Sequence, residues 1–209
     1  MSAAKALPLN RTPPLESGDC LDRLEFERRY DADPTAKRAE LIDGVVYVAS
    51  PIRAEYHGDQ QAALLLWLGT YALGRPDLTV SGNSSLRLDD KNEPQPDGSL
   101  RIRGGSAPPD PGGYLAGAPE LVFEVAASSA SYDLHQKKQL YRRTGVQEYI
   151  VWRVFEGAID WFSLEDGEYE AMQPDENGLI QSKVFPGLRL NGEALLTGDL
   201  ATVLAELSR

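Results

Sequence analysis

Apolar residues recur along the chain in two rhythms, and the switch between them outlines the elements. In LDRLEFERRY, Leu21 to Tyr30, leucines and aromatics fall at helical spacing with charges between them, which predicts a short amphipathic helix. RAELIDGVVYVAS, Arg38 to Ser50, has two apolar runs split by Asp43-Gly44, the pair favoured where both turn positions need φ > 0, so it reads as a β-hairpin. AEYHGDQQAALLLWLGTYAL, Ala54 to Leu73, is rich in Ala and Leu and stops at Gly74-Arg75-Pro76, as a long helix would. Leu78 to Leu88 reads as strand, turn, strand, and Asp97 to Arg103 as another strand after a polar loop. The Gly/Pro-dense Arg103 to Pro119 reads as the most mobile internal loop. Glu120 to Ala127 is an apolar strand, and Ser131 to Thr144 a helix closed by Gly145. Three strands follow, EYIVWRV, AIDWFSL and EYEAM, with Asp166-Gly167 turning between the last two, and Leu200 to Leu207 is a terminal helix.

The first 20 residues, with Pro8, Pro13 and Pro14 among small and polar neighbours, read as a flexible N-terminal arm, leaving 21–209 as a single domain. No run of about 18 apolar residues occurs and the N-terminus has no apolar h-region, so neither a membrane span nor a secretory signal is expected and the expected compartment is the cytoplasm. One cysteine, Cys20, excludes an intrachain disulfide. With only His57 and His135 beside it, a zinc site of the Cys/His kind is excluded and any metal must be held by oxygen. A net charge of −11 weighs against tight, non-specific binding to nucleic acid but leaves room for a local basic groove.

The candidate chemistry lies in three places. Alternation puts Val122, Glu124 and Ala126 on one face of their strand, so Glu124 has apolar neighbours, and an ionised carboxylate there must be paired, bound to a cation or near a wet edge. Asp97, Ser99, Arg101 and Arg103 form a polar set opposite Leu100 and Ile102, which suits either oxygen ligation of a hard cation with arginines for phosphate, or a solvated strand face. Asp133, Lys137 and Tyr141, four apart, share one face of a helix, as an ordinary surface salt bridge also would.

Taken together, Glu40-Leu-Ile-Asp-Gly, Pro96-Asp97, Pro119-Glu-Leu-Val-Phe-Glu124-Val and Asp133-x3-Lys137-x3-Tyr141-x3-Gly145-Val-x-Glu148-Tyr149 resemble the Uma2 family, formerly a domain of unknown function, from about Leu21 to the C-terminus. The resemblance implies an α/β (α+β mixed-sheet) fold, a restriction-endonuclease-like core of the PD-(D/E)XK kind with a mixed β-sheet flanked by helices. It implies a metal-dependent endonuclease hydrolysing phosphodiester bonds in DNA, with Mg²⁺ or Mn²⁺ held by Asp97, Glu124 and the Val125 carbonyl. Lys137 matches a lysine displaced from the strand, where Ala126 stands instead, to the following helix, and Glu40 an upstream acid. Arg101 and Arg103 are candidate phosphate contacts by strand parity, and a homodimer is the expected assembly. Two departures from the family pattern are Ala127-Ser128 in place of Ser-Pro, and Gly98 in place of a β-branched residue. A catalytically idle binding module on the same fold and a small-molecule phosphoesterase are the alternatives, the latter suited to an acidic protein.

Overall fold

The computed structural model describes residues 12–33, 38–48 and 53–208. Helix α1 (Arg23–Ala32) starts where the Asp22 carboxylate accepts the Glu25 N–H, satisfying one of the unpaired donors of a first turn. Strands β1 (Ala39–Ile42) and β2 (Val45–Val48) form the expected hairpin, with Asp43 at φ 54° and Gly44 at φ 76° in its turn. A π-helical turn, Ala54–Gly58, leads into α2 (Asp59–Ala72). Then come β3 (Leu78–Gly82), β4 (Leu86–Arg87), β5 (Gly98–Ile102), β6 (Leu115–Ala116) and β7 (Leu121–Ala126). After β7 the chain turns through α3 (Ala130–Tyr132), a second π-helical turn, Asp133–Lys137, and α4 (Lys138–Thr144), which Gly145 ends at φ 89°. Strands β8 (Glu148–Arg153), β9 (Ala158–Glu165) and β10 (Glu168–Ala171) follow, then the short hairpin of β11 (Leu179–Gln181) and β12 (Arg189–Asn191), and finally α5 (Gly192–Leu196) and α6 (Leu200–Ala205).

Six strands form one mixed sheet in the order β10-β9-β8-β7-β5-β3, in which only β7 and β8 run parallel. A parallel pair cannot be joined by a tight turn, and the crossover here is the α3–α4 segment. The alternation of β7 divides the interior. Leu121, Phe123 and Val125 face a core built with Leu64, Trp67 and Leu68 of α2, whereas Val122 and Ala126 face one built with Tyr141, Tyr149 and Phe162. Glu124 lies on the second face, so its strand is internal and the wet-edge alternative is excluded.

Gly98 departs from the family pattern for a steric reason. It pairs with Phe123, whose ring lies across it so closely that a Cβ would meet Cε1 at 2.2 Å. The large residue on β7 is accommodated by the missing side chain on β5.

Two expectations are corrected. Of the arm, residues 1–11 lie outside the described residues, but Leu15 packs on the hairpin cluster and the Gly18 N–H donates to the Val46 carbonyl, so the described end of the arm is docked. The loop read as mobile is pinned: Ala107 and Leu115 are buried, and Asp110 accepts the N–H groups of Gly112 and Tyr114 while pairing with Arg87. The strand, turn and strand read over Leu78 to Leu88 are present as β3 and β4 either side of Asn83, and β4 pairs in parallel with β6. Among the described residues no helix is long and apolar enough to cross a membrane.

Candidate active site

Beyond the last pair of β5 and β7, Gly98 with Phe123, the same register sets Asp97 across from Glu124, on the face shared by Ser99 and Val122. The two carboxylates therefore meet at the end of β5 on one side of the sheet. The backbone of Asp97 is held by Gln61 of α2, whose Nε2 donates to its carbonyl at 2.8 Å. Its carboxylate accepts the Val125 N–H at Oδ2, 2.8 Å away, and Oδ1 lies 2.9 Å from His57 Nε2. Both contacts lie where β5 has stopped and β7 continues, so the β7 edge is open there to a side chain instead of a strand.

Glu124 Oε1 accepts from Lys137 Nζ and from the Tyr141 hydroxyl, each at 2.9 Å. Lys137 also lies 2.8 Å from Glu40 Oε1 and 3.9 Å from Asp133 Oδ1. Glu40, on β1, accepts the Gln95 N–H at 2.6 Å, which ties the hairpin to the segment leading into Asp97. Asp133 is braced by Ser129, whose hydroxyl donates at 2.6 Å.

The π-helical turns explain how these groups arrive. One extra residue per turn rotates the side chains that follow relative to a regular helix. One turn carries His57, with the Asp59 N–H donating to Ala54, and the other carries Asp133 and Lys137, with the Lys138 N–H donating to Asp133. Lys137 is buried and turned to Glu124 and Glu40, so the surface salt-bridge alternative for this helix does not describe it.

Charge in the cluster is unbalanced. Glu40, Glu124 and Asp133 surround the Lys137 ammonium and Asp97 lies against His57; among the described residues no other cation pairs with these four acids. Burial pushes the Glu124 carboxyl well up, against the pull of Lys137 and with the help of Asp97, Asp133 and Glu40. Burial likewise pushes Asp133 up to about 6. For Lys137 burial works downward, but Glu124, Glu40 and Asp133 outweigh it and hold the ammonium well above its ordinary value. In the metal-free protein Lys137 is therefore held as a cation and donor.

The site opens on a cleft of about 940 Å³ whose walls include Arg38, Tyr47, Arg53, Tyr56, Ser128 and Phe155. Arg101 and Arg103 do not line it: Arg101 is buried at the far end of β5 and Arg103 lies beyond that end, exposed. Arg38 and Arg53 stand where those two were expected. His57 joins the site although no motif in the sequence marks it; its place at the very start of the long helix, outside the buried half, is the available signal.

A divalent cation fits the donors present. Among the described residues no three acidic, histidine or cysteine side chains converge as a metal-binding group. The set is two carboxylates and one carbonyl: the Val125 N–H points to the open β7 edge, and in a strand the carbonyl of the same residue projects to that same edge. Such all-oxygen donors suit Mg²⁺ or Mn²⁺, which keep several waters, and excess buried negative charge is what a cation relieves.

The Uma2 family model, described as "Putative restriction endonuclease", matches residues 23–193. No curated protein matches the chain. Among solved structures, one described as a "putative nuclease belonging to DUF820" from Anabaena variabilis aligns with a TM-score of 0.62 at 18% identity, covering 81% of this chain and 97% of that one. At that identity the likeness shows the fold.

Proposed function

The chain belongs to the Uma2 family, whose description supports a nuclease, and from that premise we propose that it is a Mg²⁺- or Mn²⁺-dependent endonuclease hydrolysing phosphodiester bonds in DNA. The observation that carries the reading is the meeting of Asp97 and Glu124 at the end of β5, with Lys137 delivered to Glu124 by the crossover that follows β7.

Asp97, Glu124 and the Val125 carbonyl would hold the cation. When bound, it would supply Lewis-acid polarisation of the phosphate and a lowered pKa for water. The chain's own groups do the rest. The Val125 N–H and His57 fix the rotamer of Asp97, so its lone pairs are aimed before substrate arrives. Tyr141 and Lys137 do the same for Glu124. Lys137, held cationic, would stabilise negative charge growing on the phosphate oxygens, an effect largest in the transition state. Glu40, bonded to Lys137, keeps the ammonium from moving fully onto Glu124.

The test is nicking of supercoiled plasmid by purified wild type, Asp97→Ala, Glu124→Ala and Lys137→Ala, with thermal melts alongside. The expected result is slow divalent-dependent cleavage, lost in the first two and reduced in the third. It should weaken as salt is added, which screens the contacts between the cleft's arginines and the phosphates. Equal cleavage by wild type and Asp97→Ala, or none with either metal on plasmid, single-stranded DNA or RNA, sinks the reading and leaves a binding module on this fold.

A further inference from the structure

The carboxylates sit at the floor of the cleft: Asp97 is 6% and Glu124 3% exposed. A phosphate must descend to reach them. In a duplex each phosphate is part of a stiff rod, with a persistence length of about 150 base pairs, so one strand cannot dip into a recess of small-molecule size without leaving the stack.

The rim offers what an unstacked base needs. Tyr56, in the first π-helical turn, and Phe155, in the turn between β8 and β9, come together with ring centroids 5.5 Å apart and planes tilted by 57°. They are 37% and 64% exposed, and neither belongs to the three apolar clusters that hold the fold together. Two distant segments thus place aromatic faces at the mouth of the cleft without packing benefit to the interior.

The same walls carry free positive charge. Arg23, Arg28, Arg29, Arg87, Arg142, Arg143 and Arg153 are all paired with carboxylates. Arg38 instead donates to the neutral side-chain oxygen of Asn83, and Arg53, like Arg75, Arg101, Arg103 and Arg189 away from the cleft, makes no ion pair among the described residues; Arg38 and Arg53 are the two of these that line the cleft. Arg38 also has φ 43°, a conformation costly for a residue with a Cβ and one that persists where surroundings impose it. Aromatic faces beside cations along a groove are the means by which proteins hold single strands, since every base has a π-face and every nucleotide a phosphate.

We infer that the cleft takes a single strand of nucleic acid in preference to a duplex, with Tyr56 and Phe155 stacking on the unpaired base beside the bound phosphate and Arg38 and Arg53 contacting flanking phosphates. The inference rests on the nuclease reading for its orientation, with the scissile phosphate on the carboxylates. Tyr56 and Phe155 are positioning residues: they decide which nucleic acid enters.

The experiment uses the full chain with Ca²⁺ in place of Mg²⁺, an oligonucleotide carrying 2-aminopurine as single strand and as duplex, and a gel to confirm that the strand stays intact. Quenching of 2-aminopurine by stacking and at least about tenfold tighter binding of the single strand are expected. Phe155→Ala should weaken single-strand binding about tenfold, the low-to-middle range for losing one base–aromatic stack. It should also abolish the quenching, with the melting temperature unchanged. Phe155→Trp should restore both and Phe155→Leu should not, a pattern that a merely apolar filler would not give. DNA and RNA single strands share the chemistry, so binding of either supports the inference and the comparison names the source. Duplex bound as tightly as single strand, no binding of either, or wild-type binding by both Phe155→Ala and Tyr56→Ala overturns it. Because binding is read without cleavage, the two readings fail separately. A chain that stacks on single strands but cleaves nothing loses the nuclease assignment, and one that nicks duplex with Phe155→Ala unimpaired loses the single-strand inference.

Discussion

Two clusters in this protein gather several carboxylates around a cation, and they do so to different ends. At the first, Arg87 Nε lies 2.9 Å from Glu27 and 3.9 Å from Glu93, its Nη1 pairs with Asp110, and its guanidinium lies 3.9 Å from the centre of the Tyr114 ring. Arg23 adds a second guanidinium on Glu27. Burial, with a hydrogen bond donated to the Glu27 carboxylate, pushes Glu93 up to about 8, so it is mostly protonated at neutral pH and three acids carry close to the two charges that the arginines neutralise. That cluster closes its own charge, and it clamps α1, β4 and the Gly/Pro-rich loop together. The second cluster sets Glu40, Glu124 and Asp133 around Lys137, with Asp97 beside them against His57, and opens on the cleft. A planar fork can satisfy several carboxylates at once, whereas an ammonium is a point charge. The residue type at the centre thus separates a clamp from a site left in want of a cation.

The contrast breaks most sharply under substitution of the acids. Asp97→Ala or Glu124→Ala is expected to lower nicking by about 10³-fold or more through loss of cation ligation, while Glu93→Gln leaves the rate within about twofold. Comparable losses at both clusters would mean that cleavage tracks folding. Lys137→Ala should cost about 10²–10³ in rate. It should also destabilise the metal-free chain by about 3–5 kcal/mol, because it leaves buried carboxylates uncompensated. Denaturant melts with and without Mg²⁺ check this: the loss should shrink when the cation is present, and an unchanged loss would place Lys137 in a purely structural role.

Next in size is the effect of pH. Asp133 and Glu93 have folded-state values raised above their ordinary ones, to about 6 and about 8, so the stability they contribute is complete below the unfolded values and is lost as pH rises through the folded ones. Without divalent ions the melting temperature should therefore fall between pH 5 and pH 8.5. Mg²⁺ should reverse part of that fall, and more at pH 8 than at pH 5.5, since protons and cation compete for the same carboxylates. Glu93→Gln should flatten the upper part of the profile without altering the Mg²⁺ response. The smallest effect tests the sheet beneath the site. Gly98→Val, which restores a β-branched residue, should destabilise by about 1–3 kcal/mol through the clash with Phe123, and Phe123→Ala in the same chain should recover part of it.

Much of the site was legible in the primary structure. Glu124 among apolar neighbours, Asp97 opening a strand, and Asp133, Lys137 and Tyr141 four apart all declared themselves, because alternation and helical spacing are properties of short windows. The short β11–β12 hairpin and α5 were not read, since three-residue strands carry too little alternation to register. They are held by long-range bonds: the buried Glu148 carboxylate accepts from the Ser182 hydroxyl and from the backbone N–H groups of Lys183 and Val184.

By itself, then, the sequence determined the succession of the longer helices and strands, the two Asp-Gly turns and the identity of the central lysine. All of these follow from interactions between residues close along the chain. Only the tertiary structure decided that Asp97 stands across from Glu124, because strand register is set by packing such as Phe123 over Gly98. It likewise decided that His57 joins Asp97 and that Lys137 turns inward, since each rides on a π-helical turn. It also put Arg38 and Arg53 in the cleft and left Arg101 and Arg103 outside. Strand parity fixes which face a side chain takes, but where that face leads depends on the elements that close over it.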